Sequence, residues 1–168
     1  MKRVCAYCNT IMDPGESPDS PVTHGICDTC SRHLYASLGI DISKNIEMFD
    51  APVILLNPDA RILEASGEAA RFIGKPSGEI LGSLAGDALG CSAAGLPGGC
   101  GNTIHCSGCV IRDNVRKTYD SGEPIDRCPA VFLKGTPDNS RRIELLISTR
   151  KSGSVILLRV EPVGTKHP

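Results

Sequence analysis

The residues best suited to chemistry are cysteines: nine stand among 168 residues, and eight of them fall into two groups of four. Cys5 and Cys8 form one Cys-x-x-Cys pair and Cys27 and Cys30 a second, with eighteen residues between the pairs. Each pair can close a tight knuckle, and the intervening loop can bring the knuckles together as four thiolates around one ion. That is the spacing of a structural zinc site. A mononuclear iron site is the alternative, disfavoured by the absence of tryptophan and by a loop that holds Pro14, Pro18 and Pro21. His24 is a substitute ligand. The second group, Cys91, Cys100, Cys106 and Cys109, has a different rhythm, with eight, five and two residues between successive thiols. Only one knuckle is present in it. The run GCSAAGLPGGCGNTIHCSGC surrounds these thiols with glycine, which lets backbone amides approach sulfur, as both zinc and iron–sulfur centres require. An iron–sulfur cluster and a second zinc ion both fit the four ligands.

Other chemistries find little support. No Cys-x-x-Cys pair is followed by histidine, the next residues being Asn9, Ser31 and Val110, which excludes attachment of a c-type haem. Cys128 and His105 are further candidate ligands, Cys128 as an exchangeable fifth donor. Their plainer readings are a strand thiol and a solvated loop side chain. No phosphate-binding G-x-x-x-x-G-K, no H-E-x-x-H and no nucleophile elbow occurs, so the chain is expected not to be an enzyme. Arg112, Asp113 and Arg116 read as solvated charges on the exposed face of a helix.

Composition narrows the class. Eighteen Lys and Arg are interspersed among 19 Asp and Glu for a formal charge of −1, which leaves no basic footprint for nucleic acid. No segment approaches the roughly 20 apolar residues of a membrane span, and MKRVCAYC lacks the apolar core of a secretion signal. The expected location is the cytoplasm, where nine cysteines, an odd number, argue against a disulfide framework.

These ligands need elements to hold them. Residues 1–39 are poor in apolar side chains and form one expected piece, in which CSRHLYASLG, from Cys30, reads as a short helix closed by Gly39. Residues 40–168 carry the rhythm of a globular domain. IDISKNIEMFDA reads as a short helix before the buried strand Pro52 to Leu56. Asn57 to Ala60 is a turn, RILEAS a partner strand, and GEAARFIG and SGEILG are short helical turns. After the cysteine stretch, CVIRDNVRKTYDSGEP places Ile111, Val115 and Tyr119 on one face of an amphipathic helix that ends at Gly122. PAVFLK, RRIELLISTR and SVILLRVEPV then alternate as three strands of an antiparallel meander.

This order, with the segment DAPVILLNPDARILEASGEAARFIGKPSGEILG and the closing meander, resembles a PAS domain from Asn45 to Val163. The resemblance implies an α+β fold: a five-stranded antiparallel sheet with flanking helices, used for sensing and for contact with partners. The stretch from 86 to 112 resembles a cysteine-rich insertion, C…GCG-x-T-x-x-C-x-x-C, of bacterial PAS proteins, and CAYCN…VTHGICDTC resembles a small treble-clef-like zinc finger of bacterial signalling proteins. The expected function is that of a cytoplasmic sensor or adaptor. It would read redox state, oxygen or a small ligand and act in trans on a kinase, a cyclase or a regulator, or through a homodimer, with no part for nucleic acid or membrane. A small iron–sulfur electron carrier and a zinc-stabilised interaction module are the alternatives.

Overall fold

A computed structural model of the chain describes residues 1–17, 19–27, 29–31, 34, 46, 47 and 49–164. It divides into two compact units, Met1–Ile42 and Ser43–Pro168.

The first unit is built on three short strands, β1 (Lys2–Cys5), β2 (Ile11–Asp13) and β3 (Val22–Gly25). β1 lies in the middle, antiparallel to β2 and parallel to β3, with Cys5 opposite Gly25. Parallel pairing makes β1 and β3 end on the same side of the sheet, and each carries a Cys-x-x-Cys pair at that end. Pro14 and Gly15 lie in the return between β2 and β3, where a helix is barred; Gly15 takes φ +71°. Residues 29–31 and 34 are helical. The remainder of the helix expected from Cys30 to Gly39, the unit boundary expected at residue 39, and most of the helix expected from Ile40 to Ala51 lie outside the described residues.

The second unit is a five-stranded antiparallel sheet with helices packed on it, the α+β arrangement that the resemblance implies. Its strands are β4 (Val53–Leu56), β5 (Ile62–Ala65), β6 (Ile125–Thr136), β7 (Asn139–Ser152) and β8 (Val155–Pro162), in the order β5-β4-β8-β7-β6. The first and last strands of the unit are therefore neighbours, Val53 opposite Arg159 and Leu56 opposite Ile156. Everything between β5 and β6 must pack against the sheet. Four helices lie there: α1 (Gly67–Ile73), α2 (Ser77–Ile80), α3 (Ala85–Leu89) and α4 (Val110–Ser121). Two short 3₁₀ turns, Ser92–Gly95 and Ile104–Gly108, fall between α3 and α4.

Alternation in the strands selects one face for the core. Ile54, Leu56, Ile62, Leu145, Ile147, Ile156, Leu158 and Val160 are buried in a cluster with Ile80, Ile111 and Val115 from the helices. Burial of each such side chain stabilises the fold by about 1.5–3 kcal/mol before entropy is counted. α1 is capped by Ser66, whose hydroxyl accepts from the Ala69 amide at 3.2 Å and from the Val53 amide at 3.1 Å, so the cap also ties the helix to β4. α4 turns Ile111, Asn114, Val115 and Thr118 inward and stops at Gly122, which takes φ +76°. Inside, the Thr118 and Thr149 hydroxyls meet at 2.7 Å and link α4 to β7.

Four elements are longer or newer than the sequence suggests. β6 begins at Ile125 and runs through Pro129, with a bulge between Ile125 and Cys128. Proline is accommodated because β6 is an edge strand, where one row of amides has no ladder partner to lose. Helix α3 and the two 3₁₀ turns have no apolar period to announce them.

Candidate metal centres

Cys5 ends β1 and is buried; Cys8 sits three residues on, in an exposed turn. The turn is closed by the Asn9 amide on the Cys5 carbonyl at 2.9 Å and by the Cys5 amide on the Thr10 carbonyl at 2.9 Å. Asn9 takes φ +57°, a conformation asparagine tolerates better than most residues. On the other side, Cys27 lies two residues beyond Gly25, and the parallel register delivers it to Cys5: its amide donates to Cys5 Sγ at 3.3 Å. The Cys30 amide donates to Cys27 Sγ at 3.5 Å, and the Cys8 and Cys27 sulfurs are 3.6 Å apart.

All four sulfurs lie within 4.8 Å of one another, and among the described residues this is the one group of three or more metal-ligating side chains close enough to share an ion. Tetrahedral zinc with sulfur at about 2.3 Å sets its ligands roughly 3.8 Å apart, so the donors fit that ion. His24 stands in β3 opposite Val4 and is outside the group. The Cys27 amide, followed by the Cys8 amide, lowers the Cys5 thiol to about 6. The Thr10 hydroxyl and amide lower Cys8. Cys30, hydrogen-bonded to the sulfurs of Cys8 and Cys27, is pushed up to about 12. Four thiolates this close repel one another, so with no cation one sulfur keeps its proton, and a divalent ion removes that conflict.

The second set is assembled differently. The Ala85 amide donates to the Ala60 carbonyl at 2.9 Å, which fixes the start of α3 to the β4–β5 turn. Gly90 closes α3 with φ +72°, and Cys91 follows, its amide on the Gly86 carbonyl at 2.8 Å and its backbone bridged to Lys134 of β6. Cys100 lies in the glycine loop against Gly86. Cys106 is in the second 3₁₀ turn, where its sulfur accepts from the Gly101 amide at 3.2 Å and lies 3.2 Å from the Thr103 hydroxyl. Cys109 is the residue that begins α4.

All four of these thiols line one cavity of ≈ 230 Å³, whose other walls include Leu89, Ile111, Phe132 and His105. Burial raises Cys100 and Cys109, and each also feels other thiols of the set: Cys106 and Cys109 act on Cys100, Cys91 and Cys106 on Cys109. At Cys109 the amides of Arg112 and Ile111, at the start of α4, oppose that rise. Burial raises Cys106 as well, but the Thr103 hydroxyl and amide, the Gly101 amide and the Arg112 charge outweigh it and lower this thiol. The four cysteines thus stand around one largely apolar cavity, with hydrogen-bond donors reaching Cys100, Cys106 and Cys109.

Arg112 corrects the reading of the sequence. It is half-buried and lines the cavity, and its guanidinium donates to the Gly101 carbonyl, which holds the glycine loop to α4. Its place beside the apolar positions Ile111 and Val115 conceals this, because the loop wraps over a flank of the helix that its periodicity marks as solvent. His105 lines the cavity with its side chain exposed. Cys128 lies in β6 opposite Ile147, packs on the core and is not among the cavity's walls.

No family model matches the chain, and no curated protein matches it. Solved structures that resemble it are PAS-type domains at low identity. The PAS domain of nitrogen regulation protein NR(II) from Vibrio parahaemolyticus is 12% identical, with a TM-score of 0.48 over 73% of this chain and 98% of that one. The PAS domain of the RpfR quorum-sensing receptor from Cronobacter turicensis, in complex with BDSF, is 13% identical, with a TM-score of 0.47 over 68% and 95%. The photoactive yellow protein domain of the sensor histidine kinase Ppr from Rhodospirillum centenum is 12% identical, with a TM-score of 0.44 over 71% and 91%. At scores this low the likeness carries no argument about what this chain binds. Among the described residues no helix is long and apolar enough to cross a membrane.

Proposed function

We propose that the chain is a PAS-type sensory module of the cytoplasm, with a zinc-stabilised, treble-clef-like head and a second four-cysteine metal centre that acts as the sensor. One observation carries the reading: Cys91, Cys100, Cys106 and Cys109 come from four points of a glycine-rich loop and all face one cavity against the core. A centre held by them ties the end of α3, the loop and the start of α4 together. With the thiols released or oxidised, the loop keeps the Arg112 contact and the Gly101–Cys106 hydrogen bond but loses its closure. The seating of Ile111 and Val115 on the sheet then changes, an order-to-disorder switch. The module binds and does not turn over a substrate; its output is to a signalling partner in trans or to a second copy of the chain.

Amide exchange of the full chain, with and without bound metal and under anaerobic conditions, tests this. Release of metal should raise exchange from Gly90 through Val115 and leave 141–150 and 154–161 protected. Equal exchange in that window in both states would refute the switch.

A further inference from the structure

The two four-cysteine sets differ in how their sulfurs meet. At the first, sulfurs hydrogen-bond to one another and all lie within 4.8 Å. At the second, no three of the sulfurs lie within 4.8 Å of one another, so they do not form a single-ion group. Yet all four face the same cavity of ≈ 230 Å³. A zinc ion draws its ligands to about 3.8 Å and leaves no space among them. A cubane of four irons and four sulfides sets its cysteine sulfurs roughly 6 Å apart and occupies the space between.

From this contrast the geometry points to an iron–sulfur cluster of the cubane type at Cys91, Cys100, Cys106 and Cys109, and not to a second zinc ion. The inference rests on the proposal that these four thiols hold one metal centre and names its occupant. Three further features suit a cluster. Its walls are apolar, with Leu89, Ile111 and Phe132 limiting water at the sulfides. The Gly101 amide and Thr103 hydroxyl reach Cys106, and donors of this kind to ligand sulfur tune clusters. Arg112 supplies a positive charge at the cavity, against the net charge of about −2 that a cubane with four thiolates carries in its oxidised form.

The test is made on the full chain, produced and reconstituted anaerobically with sulfide and equal parts of ferrous and ferric iron, with iron, acid-labile sulfide and zinc counted per chain. The expected result is about four irons and four sulfides beside one zinc, with broad absorbance near 400 nm. Cys100→Ser should remove iron and sulfide while zinc stays; Cys106→Ser, at a less buried position, repeats the measurement should the first variant fold poorly. Two zinc ions and no sulfide, or a two-iron centre, would overturn the cubane while leaving the four-thiol centre standing. Iron, sulfide and second-site zinc all absent from the wild-type chain would overturn both.

Discussion

Cys100 rests its sulfur on Gly86: a methyl group built on that glycine would lie 2.5 Å from Cys100 Sγ and 3.7 Å from Cys91 Cβ. Gly86 is helical and its φ is not positive, so the backbone alone would accept alanine and gain up to about 1 kcal/mol of helix propensity. The glycine is there for the sulfur. Gly86→Ala should therefore lower metal content at the second site severalfold, with the N-terminal zinc retained and the melting temperature of the unloaded protein unchanged or raised. Metal analysis beside a thermal melt checks both halves. Full metal occupancy in the variant would show that the sulfur has room to move.

In the N-terminal unit Cys5 is the one buried apolar side chain among the described residues, and on the proposed reading metal binding supplies most of the unit's folding free energy. Cys8→Ser should unfold residues 1–42 and release one zinc, while the thermal transition of 43–168 shifts by no more than a few degrees. Calorimetry with a zinc-release dye reads both. A collapse of the second transition would mean that the two units fold as one.

Thr118 and Thr149 are both buried and satisfy each other. Thr118→Val leaves the Thr149 hydroxyl buried with its partner gone, at a cost of about 1–3 kcal/mol. The double variant Thr118→Val, Thr149→Val should recover part of that loss, because no unsatisfied hydroxyl is left. Chemical denaturation of the four proteins of this cycle decides the sign of the coupling.

Acid should empty the N-terminal site in a defined window. Hydrogen bonds hold the Cys5 thiol down to about 6 from an ordinary 9. A thiol whose folded value is depressed contributes stability that is complete above its unfolded value and is lost as pH falls through its folded value. Zinc retention against a fixed chelator should then fall by about tenfold per unit across the neutral range, where zinc must displace the Cys30 proton, and more steeply below pH of about 6, where Cys5 takes a proton as well. A slope that does not steepen near pH 6 would contradict the amide hydrogen bonds described for Cys5.

The grouping of Cys5, Cys8, Cys27 and Cys30 was the most legible part of the candidate site, because the spacing of paired cysteines is local and needs no knowledge of the fold. The central strands were legible for a similar reason: Ile143, Leu145 and Ile147 alternate over a long run, as strands with one buried face must. The parallel pairing of β1 with β3 left no such mark, since strands of four mixed residues separated by a turn-rich loop have no pattern of their own. Arg112 was misread because helical periodicity reports what an isolated helix shows the sheet and not what a distant loop lays over its flank. Pro129 hid the first four residues of β6, Ile125 to Cys128, since only the sheet order reveals that this strand lies at an edge and can run through a proline.

The bridge between Cys91 and Lys134, with the Gly135 amide on the Gly90 carbonyl at 2.9 Å, occupies part of the outer side of β6. Seen in this way the metal loop is also a guard. β6 is twelve residues long, and Val131 and Leu133 are 45% and 48% exposed along it, the combination that invites another chain to add itself strand to strand. A protein stripped of its metals should therefore be not only silent but sticky, clouding on storage as β6 edges find one another.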